Sequence, residues 1–277
     1  MTDTTSLPRW PDDRASAVGL AFDLDGPTGD AMLDGSLARR PAYFSQKAYG
    51  PWRGVDRLLR VLDGLPATFF VPGWVVEHWP RQCRRLVDAG HEVAHHGYRH
   101  ERFADHDLAG QRAIIERSQA IFAAELGTVA TGFRTPSGDW TPGTPGLLAD
   151  LGFSYSSSMR DDDRPYRHAG ADLIEIPARS ELDDYTSLAY TRDPDWPAGG
   201  ARIASYPATL DAWRREASGH HAAGGCLVTL FHPKFVGRPG PARLLADWLD
   251  DVRRARPWFA TLARIADWAR TTGCPVR

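Results

Sequence analysis

Two aspartates and a group of histidines are the residues in this sequence whose types and spacing can do chemistry. Asp23 and Asp25 close the apolar run 17–22 and are followed by Gly26. In an extended strand, residues i and i+2 point to the same face. Two carboxylates so placed repel each other unless a cation or hydrogen bonds offset the repulsion. Asp before Gly is also ordinary turn chemistry, so the pair alone decides nothing. Four of the chain's ten histidines, His91, His95, His96 and His100, fall within one short segment. Neutral imidazole is the commonest metal ligand, and two histidines with a carboxylate and one open position make a catalytic zinc pattern. A polar loop with scattered histidines reads the same way.

Two further residues sit at the ends of apolar runs. His232 follows the run 227–231 and precedes Pro233, and Arg134 follows Gly132 and Phe133. A histidine there can act as an acid or have no role. An arginine can face solvent, or it can pair with a carboxylate and keep it ionised.

These residues need elements to bring them together. The run 17–22 reads as a buried strand running into a Gly turn. Residues 27–53 are rich in Gly, Pro and Ser, show no period and read as a long loop, a kind that is often functional. Val55, Leu58, Leu59 and Leu62 follow helical spacing, closed by Gly64. The pattern then alternates. Residues 67–71 read as a strand, about 80–89 as a helix and 91–95 as a strand. A helix carrying Leu108, Ile115 and Phe122 comes before the strand end at Gly132 and Phe133. Another helix carries Leu147, Leu148 and Leu151, and 173–176 is a strand. Residues 177–207 are proline-rich and irregular. Leu210 and Trp213 mark a helix, 227–231 a strand, and Leu245, Trp248, Leu262 and Ile265 two further helical faces. Strands alternating with amphipathic helices signal a parallel α/β fold. In a β/α barrel the carboxyl ends of the strands share one face. There Asp23, Asp25, His96, His100, Arg134 and His232 would meet.

In this order and context the sequence resembles the NodB-homology group, the polysaccharide deacetylases of carbohydrate esterase family 4. Asp23-Leu24-Asp25-Gly26 matches the first motif and His96-Gly97-Tyr98-Arg99-His100 the second. Arg134-Thr135-Pro136-Ser137-Gly138 resembles the third, and Leu230-Phe231-His232-Pro233 the last. The likeness runs from about Trp10 to Trp268. It implies a distorted (β/α) barrel of seven strands, as one domain over residues 1–277 with an N-terminal arm at 1–15. It further implies one divalent metal ion, Zn2+, on Asp25, His96 and His100. Asp23 would be the general base, braced by Arg134, and His232 the general acid.

The sequence departs from the family pattern at Leu24, at Gly97 in place of Ser or Thr, and at Ser137 in place of Tyr. The text around the motifs is similar to a branch that includes cyclic imide hydrolases, allantoinase-like proteins and peptidoglycan deacetylases. Trp74, Tyr98, Ser137, Trp140 and Asp184 are candidate substrate-binding residues. The aromatic ones among them also fit simple packing.

Composition narrows the remaining options. The chain has 277 residues, 42% of them hydrophobic, with a formal net charge of −2, which is the profile of an ordinary globular protein. That charge gives no reason to expect a nucleic acid or an anionic membrane as partner. Cys83, Cys226 and Cys274 form no CxxC pair, so a disulfide framework and a structural zinc knot are both unexpected. Cys83 and Cys226 read as core residues. No run is apolar enough to span a membrane and no signal peptide is visible, so the expected location is cytoplasmic. The expected substrate is a small-molecule or sugar amide, and a homo-oligomer is left open. Three functions remain: hydrolysis of linear amides, most simply N-deacetylation; ring opening of small cyclic imides or ureides; and ligand binding without catalysis.

Overall fold

The computed structural model describes residues 8–29, 39–189 and 203–277. Its centre is strand β1 (Ala17–Asp23), buried along its whole length, as expected of an apolar strand covered on both faces. On one side follow β2 (Ala67–Val71), β3 (Glu92–His95), β4 (Gly132–Phe133) and β5 (Tyr155–Ser156). Beyond them lies β7 (Ile174–Glu175), with β6 (Tyr166–Arg167) pairing antiparallel to it at the edge. On the other side of β1 lie β8 (Cys226–Val228) and β9 (Trp258–Phe259). The seven strands on the path β7-β5-β4-β3-β2-β1-β8 are all parallel. The architecture is the expected distorted α/β barrel, with β6 and β9 added to the seven.

The sheet curls, and residues 179–184 close it against β8. The Arg179 N–H donates to Val228 O, the Leu230 N–H to Leu182 O, and the Asp184 N–H to Leu230 O. This stretch falls within the segment read as irregular. It contains a 3-10 turn (Ser180–Leu182) and the short helix α7 (Asp184–Leu188). The remainder of that segment at 190–202 lies outside the described residues.

The helices are α1 (Pro41–Tyr49), α2 (Val55–Leu62), α3 (Gly73–His78), α4 (Pro80–Asp88), α5 (Leu108–Leu126) and α6 (Thr144–Asp150). After α7 come α8 (Tyr206–Ala223), α9 (Pro239–Arg254) and α10 (Leu262–Thr272). α1 and the π turn Gly50–Gly54 that joins it to α2 correct the expected loop at 27–53. Pro41 occupies the first turn of α1, where a missing N–H costs nothing. Only Tyr43 and Lys47 of that helix are buried, so no apolar stripe announces it. Of that stretch, residues 30–38 lie outside the described residues.

Of the expected N-terminal arm at 1–15, residues 1–7 lie outside the described residues, and the rest is anchored at Trp10 rather than loose. Trp10 is 1% exposed, stacks on Trp268 at 4.1 Å between ring centroids, and donates from its indole nitrogen to Gly224 O.

Two apolar clusters lie on opposite faces of the strands. Val18, Leu20, Phe22 and Leu24 face an outer cluster under the helices, together with Phe69, Val93 and Phe133. Ala17 and Ala21 face an inner cluster with Phe70, Ala94, Tyr155 and Val228. Leu262 and Ile265 of α10 enter that inner cluster, where β1 leaves them room with Gly19. A Cβ on Gly19 would lie 2.4 Å from Leu262 Cδ2. Cys83 and Cys226 are buried as expected, and burial pushes both thiols up to about 12. Among the described residues, no helix is long and apolar enough to cross a membrane.

Candidate active site

The alternation along each strand decides which side chains reach the site. Asp23 continues the inward series Ala17 and Ala21, and Asp25 follows two residues later, while Leu24 between them is buried among outer apolar residues. In β3 the inward series passes through Ala94 and places His96 just past the strand. In β4 Phe133 packs outward and Arg134 follows inward. In the β8 segment Val228 and Leu230 lead to His232. Asp23, Asp25, His96, Arg134 and His232 all line one cleft, with His100 and Ser137 at its side. Each of the first five is at most 8% exposed.

Arg134 fixes Asp23. Its Nη1 donates to Asp23 Oδ1 at 2.8 Å, while Nε and Nη2 donate to Ser157 O and Oγ, both at 2.9 Å. The guanidinium also lies over the Phe70 ring, 4.2 Å from its centroid. The guanidinium offsets the charge of this buried carboxylate and orients it.

His96 donates from Nδ1 to the Arg134 carbonyl at 2.8 Å, since a carbonyl can only accept. That bond fixes the tautomer and leaves the Nε2 lone pair free. Nε2 lies 3.5 Å from Asp25 Oδ1, and His100 Nε2 lies 3.9 Å from the same oxygen. The ligand atoms of Asp25, His96 and His100 all lie within 4.8 Å of one another. Asp25 Oδ1 is buried and has no hydrogen-bond partner among the described residues. An orphaned carboxylate oxygen facing two imidazole nitrogens fits a divalent cation, and the donor set suits zinc. Burial lowers the His100 pKa to about 4 although Asp25 opposes the shift, so the ring is neutral and able to ligate. Burial alone would raise the Asp25 pKa. Lys234, with His100, His232 and His96, holds it well below the usual carboxylate range.

Backbone geometry explains the family departure at Gly97. Its φ is +72°, a left-handed conformation, and a Cβ there would lie 2.9 Å from Glu101 Oε2. His100 itself has a φ of +62°, a costly conformation of the kind that gathers at functional sites.

His232 is backed by an acid. Its Nδ1 bonds Asp184 Oδ1 at 2.6 Å, and its backbone N–H donates to Asp184 Oδ2 at 2.9 Å. Burial lowers the imidazole pKa, but the Asp184 charge and hydrogen bond outweigh it and raise the value to about 9. Asp184 thus favours the cationic form of His232, whose Nε2 is turned to the cleft 3.7 Å from Asp25 Oδ2. Asp183, beside it, is raised to about 6 by burial. Asp183, Asp184 and His232 also lie within 4.8 Å of one another, but Asp184 is taken up by its bonds to His232 and Asp183 accepts from the Tyr185 N–H.

Among the residues expected to bind substrate, Ser137 alone lines the cleft. Trp74 is buried and stacked on His78 at 3.7 Å. Tyr98 is buried under the Arg117 guanidinium and bonds Glu77. Trp140 packs toward His168 at 5.6 Å. These three are packing residues, and Asp184 sits behind His232, fully buried. Of the four-histidine group, His91 and His95 turn away from the cleft. His95 packs among Phe122, Phe133 and Phe153.

The sequence reading missed Lys234 and Ser157. Lys234 is 6% exposed and donates from Nζ to Asp25 Oδ2 at 2.5 Å. Its proximity to His232, two residues on within a Pro turn, was the available signal.

Comparison with known proteins places this geometry in context. A family model described as polysaccharide deacetylase matches residues 49–156. That stretch holds His96, His100 and Arg134, while Asp23, Asp25 and His232 lie outside it. The crystal structure of a Mycobacterium smegmatis protein assigned to the polysaccharide deacetylases superposes with a TM-score of 0.92 at 35% identity. It covers 98% of this chain and 95% of that one. A peptidoglycan deacetylase of Helicobacter pylori is 30% identical over 167 residues, which are 50% of this chain and 57% of that protein. The chain spans about half the length of the curated relatives it matches. An allantoinase crystal structure shares the fold, with a TM-score of 0.81 at 21% identity over 97% of this chain and 95% of that one.

Proposed function

The chain belongs to the polysaccharide deacetylase family, and from that premise we propose that it is a metal-dependent hydrolase of non-peptide carbon–nitrogen bonds that removes an acyl group from an N-acylated substrate. The observation that carries this reading is the buried, unpartnered Asp25 Oδ1 facing the ring nitrogens of His96 and His100. A divalent ion held there, zinc by its donors, supplies Lewis acidity toward the amide carbonyl and lowers the pKa of water.

The chain's own groups carry the rest. Asp23 accepts the proton of the attacking water. Arg134 pairs with Asp23 and aims it, since its own position is fixed by Ser157. An amide nitrogen leaves poorly as an anion, so it has to be protonated. His232 delivers that proton from Nε2, and Asp184 holds its Nδ1 and stabilises the cationic form. Base and acid thus stand on different strands, with Asp25 between them.

A second reading is ring opening of a small cyclic imide or ureide. The size of the cleft favours it: the cavity among the described residues is about 280 Å3, at the lower limit for a small-molecule pocket. Purified protein is given succinimide and, separately, an N-acetylglucosamine oligomer, each with and without chelator. Chelator-sensitive acetate release supports the first reading. Ring opening without acetate release replaces it with the second, and turnover untouched by chelator overturns the metal. His100→Ala is expected to lose bound metal and activity while circular dichroism is unchanged. Metal retained at the wild-type level removes His100 from the ligands.

A further inference from the structure

We propose that Lys234 is a resident cation of the metal site and makes it a weak binder of divalent ions. The inference rests on the reading of Asp25, His96 and His100 as ligands. The two oxygens of Asp25 are divided. Oδ1 faces the two imidazoles, while Oδ2 receives the Lys234 ammonium at 2.5 Å. Asp23, the other carboxylate of the pair, is neutralised by Arg134. The charge of Asp25, which would otherwise attract a dication, is therefore already matched. An incoming ion meets an ammonium bound to its own ligand, in a site where burial leaves little water to screen the repulsion.

The placement of Lys234 is built into the fold. Three glycines close on the turn that carries it. A Cβ on Gly54 or on Gly237 would lie 2.2 Å from Pro233 O, and one on Gly50 would lie 3.2 Å from the Lys234 backbone nitrogen. The side chain then runs inward and is 6% exposed. A lysine is seldom buried unless paired, and here its partner is a residue that the metal also needs.

The test is zinc affinity, measured by competition with a chromophoric chelator on the metal-stripped full chain. Lys234→Met removes the charge, and Lys234→Gln removes it while keeping an N–H for Asp25 if the methionine variant does not fold. Lys234→Arg keeps the charge. The neutral variants are expected to bind one zinc ion at least about tenfold more tightly than wild type, a shift of about 1.4 kcal/mol. The arginine variant is expected to stay within about threefold of wild type. The zinc-induced rise in melting temperature is expected to be larger in the neutral variants. One zinc ion bound with equal or lower affinity in the neutral variants overturns the role of Lys234 and leaves the ligand set standing. Absence of zinc binding in every protein overturns both.

Discussion

Asp23 shows how a single side chain takes its role from its neighbours. It and Asp25 are two residues apart on one inward face, yet each is answered by a different cation, Arg134 for one and Lys234 for the other. That difference separates the proposed base from the proposed ligand. Asp23→Asn is therefore expected to keep bound metal and lose about 10²- to 10⁴-fold in turnover. Metal analysis and steady-state kinetics on the same preparation check this, and full activity would remove Asp23 from the mechanism. Asp23, Asp25, His96, Arg134 and His232 were legible in sequence because each follows an apolar run at the inward parity, and His100 by its spacing from His96 in the loop past β3. Lys234 was not legible. Its reason for being buried lies in Asp25, more than two hundred positions away, and the only local signal is its place two residues after His232. Trp74, Tyr98 and Trp140, which do not line the described cleft, were ambiguous for the opposite reason: an aromatic residue beside a motif reads the same whether it faces a cleft or fills a core.

At the scale of elements, the long central strands were readable, and of the short ones only β4 and β7 were, as a strand end at Gly132 and Phe133 and a strand at 173–176. β1 and β2 are continuous apolar runs, and α2 has a full amphipathic stripe. β5, β6 and β9 are two residues each, too short for any period to appear. α1 was hidden by its polar composition. Its sequel, the π turn Gly50–Gly54, has a positional task, since Gly54 lets the turn at Pro233 approach. Gly54 has ordinary helical backbone angles, with a φ of −60°, so alanine there is resisted by steric contact alone. Gly54→Ala is expected to cost about 1–3 kcal/mol and to lower turnover by displacing His232 and Lys234. Chemical denaturation and kinetics test the two effects. An unaltered stability and rate would show that the turn moves freely.

For the molecule as a whole, burial of ionisable groups couples folding to pH. His91 is 8% exposed, and burial lowers its pKa from the 6.5 of a free imidazole. Below about pH 6.5 the unfolded chain takes up a proton that the fold refuses, so this contribution is absent above that pH and destabilises the fold as pH falls. The slope from this group is at most about 1.4 kcal/mol per pH unit. Urea unfolding at about pH 7.5 and about pH 5.5 is expected to show the loss, with a shallower slope in His91→Gln; identical slopes would count against it. The seam between residues 179–184 and β8 has a different consequence. Asp184 supplies the last backbone rung of that seam and also accepts bonds from His232 and Val236. The proposed proton donor is thus wired to the latch of the barrel: under that reading, a molecule whose latch has sprung has no working acid, even with every helix intact. On warming, turnover and amide-exchange protection at Leu230 and Asp184 are expected to fall together, at lower temperature than the helical signal. Catalysis would then act as the molecule's own gauge of whether it is shut.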